Sequence, residues 1–293
     1  MNPDSRIFVA GADTMTGAAL VRALERHGYR QLVSDLAAKP EYVFIAAGKS
    51  GGILANQKFP ADLCLDNLRV ASELIPAAYR AGVKKLLYLA SSCIYPKQAA
   101  QPMTPAMLGS GALEPTSAPY AAAKLAGVAL CQAYRQQHGA PFITAIPADV
   151  FGPGVKFSAE DSHVIPALLV KMHQAKLAGI SQLTLWGSGA PQREFTFADD
   201  LAEACLVVMC KYDGDVPINL GSGETVSIRE LVEQMRNVVG FTGELRWDTT
   251  RPDGAPVKWL DTTPLRALGW RPTVSLETGL QLTYQSLRKS VQQ

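Results

Sequence analysis

Two short segments hold the side chains best suited to chemistry beside a ketone: Ser91-Ser92-Cys93-Ile94-Tyr95-Pro96-Lys97 and Tyr120-Ala121-Ala122-Ala123-Lys124. A tyrosine and a lysine four positions apart share one face of a helix, where an ammonium can stabilise a phenolate. A serine hydroxyl can orient a carbonyl, and a cysteine two residues later points the same way if the chain there is extended. A Tyr-x-x-x-Lys pair alone occurs by chance in many helices. Its combination with this serine and cysteine, and with a glycine-bearing first strand, gives it weight.

Alternating strands and helices must hold these groups. Arg6 to Ala10 is a β-branched and aromatic run; Gly11 then opens a turn, and Thr16 to Arg26 carries apolar residues at helical spacing. Strands are expected again at Tyr42 to Ala47, Lys85 to Ala90 and Phe142 to Ile146, with helices at Asn67 to Ala81 and Tyr120 to His138. This order predicts an α/β fold, a Rossmann-like doubly wound parallel sheet with right-handed crossovers. Beyond Phe151-Gly152-Pro153-Gly154 the pattern is irregular. Helices are expected at Val164 to Ala178, Asp199 to Lys211 and Ser227 to Val239, and short strands at Leu183 to Leu185, Pro217 to Leu220 and Glu244 to Trp247. The reading is a dinucleotide-binding domain of residues 1–150 plus about 196–220, and a smaller mixed α/β substrate domain of residues 151–195 plus 221–293. A cleft between them is expected to hold the ligands.

The 293 residues are 47% hydrophobic, enough for a sizeable core. Twenty-eight basic against 26 acidic residues give a net charge of +2 with no basic cluster, which argues against nucleic acid as a partner. The sequence has no run of about 18 uncharged apolar residues, and Met1-Asn2-Pro3-Asp4-Ser5-Arg6 leads straight into a strand, so the expectation is a cytoplasmic protein without a membrane partner. Five scattered cysteines (Cys64, Cys93, Cys131, Cys205, Cys210) do not suggest a disulfide framework, and no spacing suggests a metal site.

Gly11-Ala12-Asp13-Thr14-Met15-Thr16-Gly17 stands where a GxxGxxG turn would cradle a pyrophosphate, making Gly11, Thr14, Met15 and Gly17 candidate coenzyme contacts. Thr14 replaces the middle glycine. Its hydroxyl could donate to a phosphate oxygen instead. If Tyr29 to Val33 is the second strand, Ser34 to Glu41 is shorter than the dozen or so residues of a parallel crossover, so the helix there is expected to be missing or shortened. Asp35 is the candidate for holding the adenosine ribose, and no phosphate-binding arginine accompanies it.

Ser91, Tyr120 and Lys124 have the order of the catalytic triad of the extended short-chain dehydrogenases, and the chain resembles the GDP-L-fucose synthases among them. The resemblance rests on Ala46-Ala47-Gly48-Lys49-Ser50-Gly51-Gly52-Ile53, Ser91 to Lys97, Tyr120 to Gly127, Ser162-His163-Val164-Ile165-Pro166-Ala167-Leu168, Trp186 to Phe195 and Pro252-Asp253-Gly254. It implies epimerisation at carbons 3 and 5 of a GDP-4-keto-6-deoxy-hexose and reduction at carbon 4, with NADP(H) as coenzyme and NAD(H) as the alternative. Cys93 would be the base and His163 the acid; Tyr120 would protonate the carbon 4 oxygen, with Lys124 lowering the phenol pKa and Ser91 holding the ketone. Ala46, Ala47, Lys124 and His163 would also line the coenzyme. Asp149, Lys171, Trp186, Arg193 and Lys258 would meet the substrate. A homodimer through the helices at 67–81 and 120–138 is implied as well.

Two of these positions depart from the family. Lys171 stands where an arginine is usual, and Asp149 puts a carboxylate where an amide would donate, repelling a diphosphate unless it is protonated or paired. Weak coenzyme binding, epimerisation without reduction, and a catalytically inactive sugar-nucleotide-binding homologue therefore stand as alternatives.

Overall fold

In the computed structural model, which describes residues 1–158, 162–251 and 253–291, the chain builds one six-stranded parallel sheet and a smaller body packed beside it. Pro252 of the last family-like string lies outside the described residues. The first half runs β1 (Ile7–Ala10), α1 (Met15–Arg26), β2 (Leu32–Val33), β3 (Tyr42–Ile45), α2 (Ile53–Lys58), α3 (Pro60–Arg80), β4 (Lys85–Leu89), α4 (Ala118–His138), β5 (Phe142–Pro147) and β6 (Asp149–Phe151). The second runs α5 (Val164–Leu177), β7 (Gln182–Trp186), β8 (Gln192–Arg193), β9 (Phe195–Phe197), α6 (Ala198–Lys211), β10 (Ile218–Leu220), β11 (Val226–Ser227), α7 (Ile228–Val239), β12 (Glu244–Asp248), β13 (Val257–Lys258), α8 (Thr263–Ala267) and α9 (Leu276–Val291).

The large sheet has the order β10-β5-β4-β3-β1-β2. Its strands read as continuous apolar runs because both faces are covered. On one face Leu20 and Leu24 of α1 meet Leu201, Cys205 and Val208 of α6. On the other, Ala71 and Ile75 of α3 and Val128 and Cys131 of α4 cover Val43, Ile45 and Leu86. The expected strand at 217–220 therefore closes the edge of this sheet, pairing with β5.

β1 has β2 on one side and β3 on the other. The sheet order reverses there, so the crevice for a ligand opens at the carboxyl ends of β1 and β3. The segment between β2 and β3 contains no helix, as its length predicts, and Leu36 packs against the second core in the helix's place.

The smaller body has its own core, in which Leu169 and Met172 of α5, Leu231 and Met235 of α7, and Leu280 and Leu287 of α9 surround Phe151, Phe195 and Phe197. Three small sheets brace it: β12 with β7, β11-β8-β13, and β6 with β9. The last two carry site residues. β13 runs parallel to β8 with Lys258 opposite Arg193, and β6 runs parallel to β9 with Asp149 opposite Phe195.

Candidate active site

The turn after β1 is built for close backbone approach. Gly11 has φ +83°, and a Cβ there would lie 2.7 Å from the Ala47 backbone. A Cβ on Gly17 would lie 1.9 Å from the Gly11 carbonyl oxygen. Both positions fit the pyrophosphate end of a nicotinamide coenzyme, because only glycine leaves the turn this tight against the start of α1. Thr14 is the N-cap of that helix: its Oγ accepts the Gly17 N–H at 3.0 Å and donates to the Gly11 carbonyl at 2.7 Å. The hydroxyl proton expected to reach a phosphate is therefore already engaged within the turn. Met15 is the first residue of α1 and half-buried, and Ala46 and Ala47 follow β3 across the crevice. Asp35 sits in an exposed turn two residues past β2, where its Oδ1 accepts the Ala38 N–H at 3.1 Å.

Ser91 follows β4 at the same end of the sheet. The chain is not extended beyond it; Ser92–Ile94 forms a single 3-10 turn, and the Ser91 Oγ accepts the Cys93 N–H at 3.3 Å. The turn folds Cys93 back toward Ser91, a geometry that the alternation of a strand does not supply. From α4, Tyr120 and Lys124 enter the same region, both buried at 8% and 6% exposure.

The Lys124 Nζ donates to the Leu89 carbonyl at 3.1 Å, at the end of β4, and burial pulls its pKa down to about 8. The Tyr120 phenol is pushed above its usual range by burial and by the charges of Cys93 and Asp149, against a hydrogen bond with Ser91. The expected lowering of the phenol by Lys124 is thus not what the geometry gives: the ammonium is directed to a backbone carbonyl and the phenol stays protonated.

Four more groups face these from the smaller body. Lys258 Nζ lies 3.3 Å from Asp149 Oδ1 and 3.7 Å from the Cys93 sulfur. Burial pushes the Asp149 carboxyl up, but Lys258, with His163 and Arg193, outweighs it and holds the group below the ordinary carboxylate range. The repulsion expected of this carboxylate is therefore met by a paired cation. His163, the N-cap residue of α5, keeps an accessible edge yet is crowded by protein; this desolvation lowers its pKa, opposed by Asp149 and reinforced by Lys258. Arg193 is anchored by Nη1 donating to the Gln192 and Ala255 carbonyls, each at 2.7 Å.

Lys171 and Trp186 form a separate pair. Lys171 Nζ lies 5.8 Å from the centre of the exposed Trp186 ring, with Arg251 at 5.1 Å from it. Such an aromatic face flanked by cations suits a flat ring and its phosphates.

Two residues escaped the sequence reading. Asn67, buried within α3, donates to the Lys49 and Leu63 carbonyls, while its Oδ1 is without a partner. That oxygen lies where a Cβ on Gly48 would be, beside Lys124. Glu194, buried at 2%, accepts the backbone N–H groups of Gly223 and Leu260. A mid-helix asparagine and a glutamate beside an arginine look like ordinary surface residues until their burial is known.

Among the described residues no helix is long and apolar enough to cross a membrane, and no group of three or more histidines, cysteines or carboxylates could hold a metal ion. The family model described as "NAD dependent epimerase/dehydratase family" matches residues 30–221. "GDP-L-fucose synthase 1" of Arabidopsis thaliana is 46% identical, covering 98% of this chain and 94% of the relative. "GDP-L-fucose synthase" of Escherichia coli is 42% identical, covering 96% and 95%. Among solved structures, a GDP-L-fucose synthetase from Naegleria fowleri bound to NADP superposes with a TM-score of 0.90 at 25% identity, covering 100% of this chain and 96% of that one. A six-stranded parallel sheet, a glycine turn and a Ser-Tyr-Lys set thus coincide with full-length similarity, and the chain belongs to the NAD dependent epimerase/dehydratase family, in its GDP-L-fucose synthase group.

Proposed function

We propose that this enzyme epimerises carbons 3 and 5 of a GDP-4-keto-6-deoxy-hexose and reduces carbon 4, giving GDP-L-fucose or a related GDP-deoxy-sugar, with NADP(H) as coenzyme. The observation that carries the reading is the meeting of Cys93, Tyr120 and His163 around one Asp149–Lys258 pair, within reach of the crevice at β1 and β3. A proton beside a ketone is acidic because its loss leaves an enolate. Cys93 takes that proton, and the electron pair of the C–H bond moves onto the carbonyl oxygen, which Ser91 and Tyr120 hold. His163 returns a proton to the opposite face, inverting the centre. Each inversion leaves the electron count of the sugar unchanged.

Reduction uses the other half of the site. The coenzyme, when bound, supplies a hydride to carbon 4. Tyr120 gives its phenolic proton to the oxygen, and its raised pKa keeps that proton in place until then. Lys124, whose ammonium rests on the Leu89 carbonyl, turns from it to the phenolate as that forms and supplies positive charge. Gly11 and Gly17 leave room for the pyrophosphate, Arg193 and Lys171 provide cations for the GDP diphosphate, and Trp186 a face for stacking. The exposed Leu65 and Leu68 of α3 leave that helix an uncovered apolar stripe, which supports a homodimer through α3 and α4.

The test is incubation with GDP-4-keto-6-deoxy-mannose and NADPH in deuterated water. The expected outcome is NADPH consumption matched to a GDP-deoxy-sugar carrying deuterium at carbons 3 and 5. Deuterium without NADPH consumption would reduce the reading to epimerisation, and neither would overturn it.

A further inference from the structure

Among the described residues, Lys258 is the one cation within hydrogen-bonding distance of the candidate base. Its Nζ sits 3.7 Å from the Cys93 sulfur and 3.3 Å from Asp149 Oδ1, bridging a group of the large domain's sheet end and a group of β6. Its side chain is 23% exposed and that of Asp149 32%, so the three groups share a partly dry environment in which charges act strongly.

We propose that Lys258 acts on Cys93 directly, holding its sulfur as the thiolate that removes the proton, and that Asp149 sets how much of the ammonium charge the sulfur feels. The assignment builds on the epimerase role proposed for Cys93.

The argument is electrostatic and geometric. A thiol removes a carbon-bound proton only as thiolate, and a cation beside the sulfur favours that form. Before the proton transfer the pair is sulfur anion and ammonium. Afterwards the sulfur carries the proton, the electron pair of the broken C–H bond rests in the enolate, and Lys258 is still an ammonium. Nothing is oxidised or reduced.

Asp149 opposes this twice, by drawing the ammonium to itself and by adding a negative charge of its own. The other groups facing the cluster are Arg193 from β8, His163 from the start of α5 and the Tyr120 phenol from α4. Arg193 adds a second positive charge facing Asp149 and Lys258. Tyr120 is neutral and His163 is biased toward neutral by its crowded setting. The placement is held by backbone pairing: the Glu194 N–H donates to the Lys258 carbonyl, and the Asp149 N–H donates to the Glu194 carbonyl, so a single residue spaces the two charges.

A salt bridge serving only structure would give Lys258 and Asp149 equivalent roles, with either substitution disturbing the site in the same direction. The proposal instead gives them opposite signs. The test is iodoacetamide labelling of Cys93 in the full chain at neutral pH, without sugar nucleotide, read by mass spectrometry of the peptide that carries it. Lys258→Met is expected to slow labelling about tenfold, from the loss of a close opposite charge. Lys258→Arg should restore most of the rate, and Asp149→Asn, which is isosteric, should raise it about threefold or more.

Labelling of Lys258→Met within about twofold of the parent, or slowing in Asp149→Asn, would overturn the proposal. Because the assay needs no substrate, opposite shifts in a chain that turns over no GDP-sugar would support this contact while refuting the proposed activity. The Asp149→Asn result stands by itself if Lys258→Met fails to fold.

Discussion

Glu194 Oε2 accepts the backbone N–H of Leu260 at 2.8 Å, two residues beyond Lys258, while its Oε1 accepts that of Gly223 at 2.7 Å. One buried carboxyl thereby ties the strand that carries Arg193 to the strand that carries Lys258 and to the loop leaving β10. A Cβ on Gly221 would come within 2.1 Å of the same carboxyl, so the loop is shaped around it.

Burial raises the Glu194 pKa from 4.5 to about 7, against the two backbone hydrogen bonds. The sign follows from linkage. The folded state binds the proton more tightly than the unfolded one, so this contribution is fully present below pH 4.5 and is lost as pH rises through about 7. The loss amounts to about 3 kcal/mol. Glu194→Gln should remove that slope, at a cost of about 1–2 kcal/mol at pH 5 because its amide N–H2 would face a backbone donor. Urea unfolding at pH 5 and pH 8 checks this; an unchanged slope would exclude Glu194 as the titrating group.

Gly17→Ala should abolish coenzyme binding. Its methyl would overlap the Gly11 carbonyl, so the turn must open and α1 must shift away from the crevice. The expected cost is about 1–3 kcal/mol of stability. Calorimetric titration with NADPH should show no heat of binding under conditions where the parent saturates.

Thr14→Ala provides the contrast. The threonine hydroxyl caps α1 and donates inside the turn, so its loss should cost about 1 kcal/mol of stability. NADPH affinity should change by less than about threefold, since the hydroxyl donates to the Gly11 carbonyl and is not free for a charge-assisted hydrogen bond to a phosphate, which would be worth more than that. A tenfold loss would show that the hydroxyl turns outward to the phosphate.

The parts legible in the sequence were those governed by local periodicity and by spacing. The buried parallel strands at Tyr42, Lys85 and Phe142 declared themselves as apolar runs, and the short interval from Ser34 to Glu41 was too small for a helix. Helix α3 begins at Pro60, ahead of the expected Asn67, because Pro and Asp in its first turn suit a helix start more than the apolar pattern reveals. The strand at 218–220 fell within the 196–220 segment read with the large domain, but its place at the sheet edge beside β5 is decided by a contact 73 positions away that three residues do not declare. The same limit applied at the site. Tyr120 and Lys124 share a helix face and could be paired by eye, whereas the contact of Lys258 with Cys93 spans 165 positions and depends on how two bodies meet. The fate of the Asp149 carboxylate was equally non-local, since its partner comes from another small sheet.

Lys124 separates the two proposed activities. Its ammonium, with a pKa of about 8, is needed when the Tyr120 phenol gives up its proton, so reduction should decline as pH rises above about 8. Proton exchange at carbons 3 and 5 relies on Cys93 and His163 and should not share that limb. Lys124→Met should lower reduction by about 100-fold or more, the usual scale for losing a group that assists proton transfer, while deuterium still enters both carbons. Stability should move the other way. A lysine whose folded pKa is depressed from 10.5 to about 8 contributes fully above pH 10.5 and loses that contribution as pH falls through about 8, so at pH 7 the buried ammonium costs about 3 kcal/mol. Methionine removes the charge and fills similar space, so the variant should melt at a higher temperature than the parent at pH 7. A variant that reduces normally would exclude Lys124 from the reductive step, and one that melts lower with exchange abolished would show that it supports the whole site.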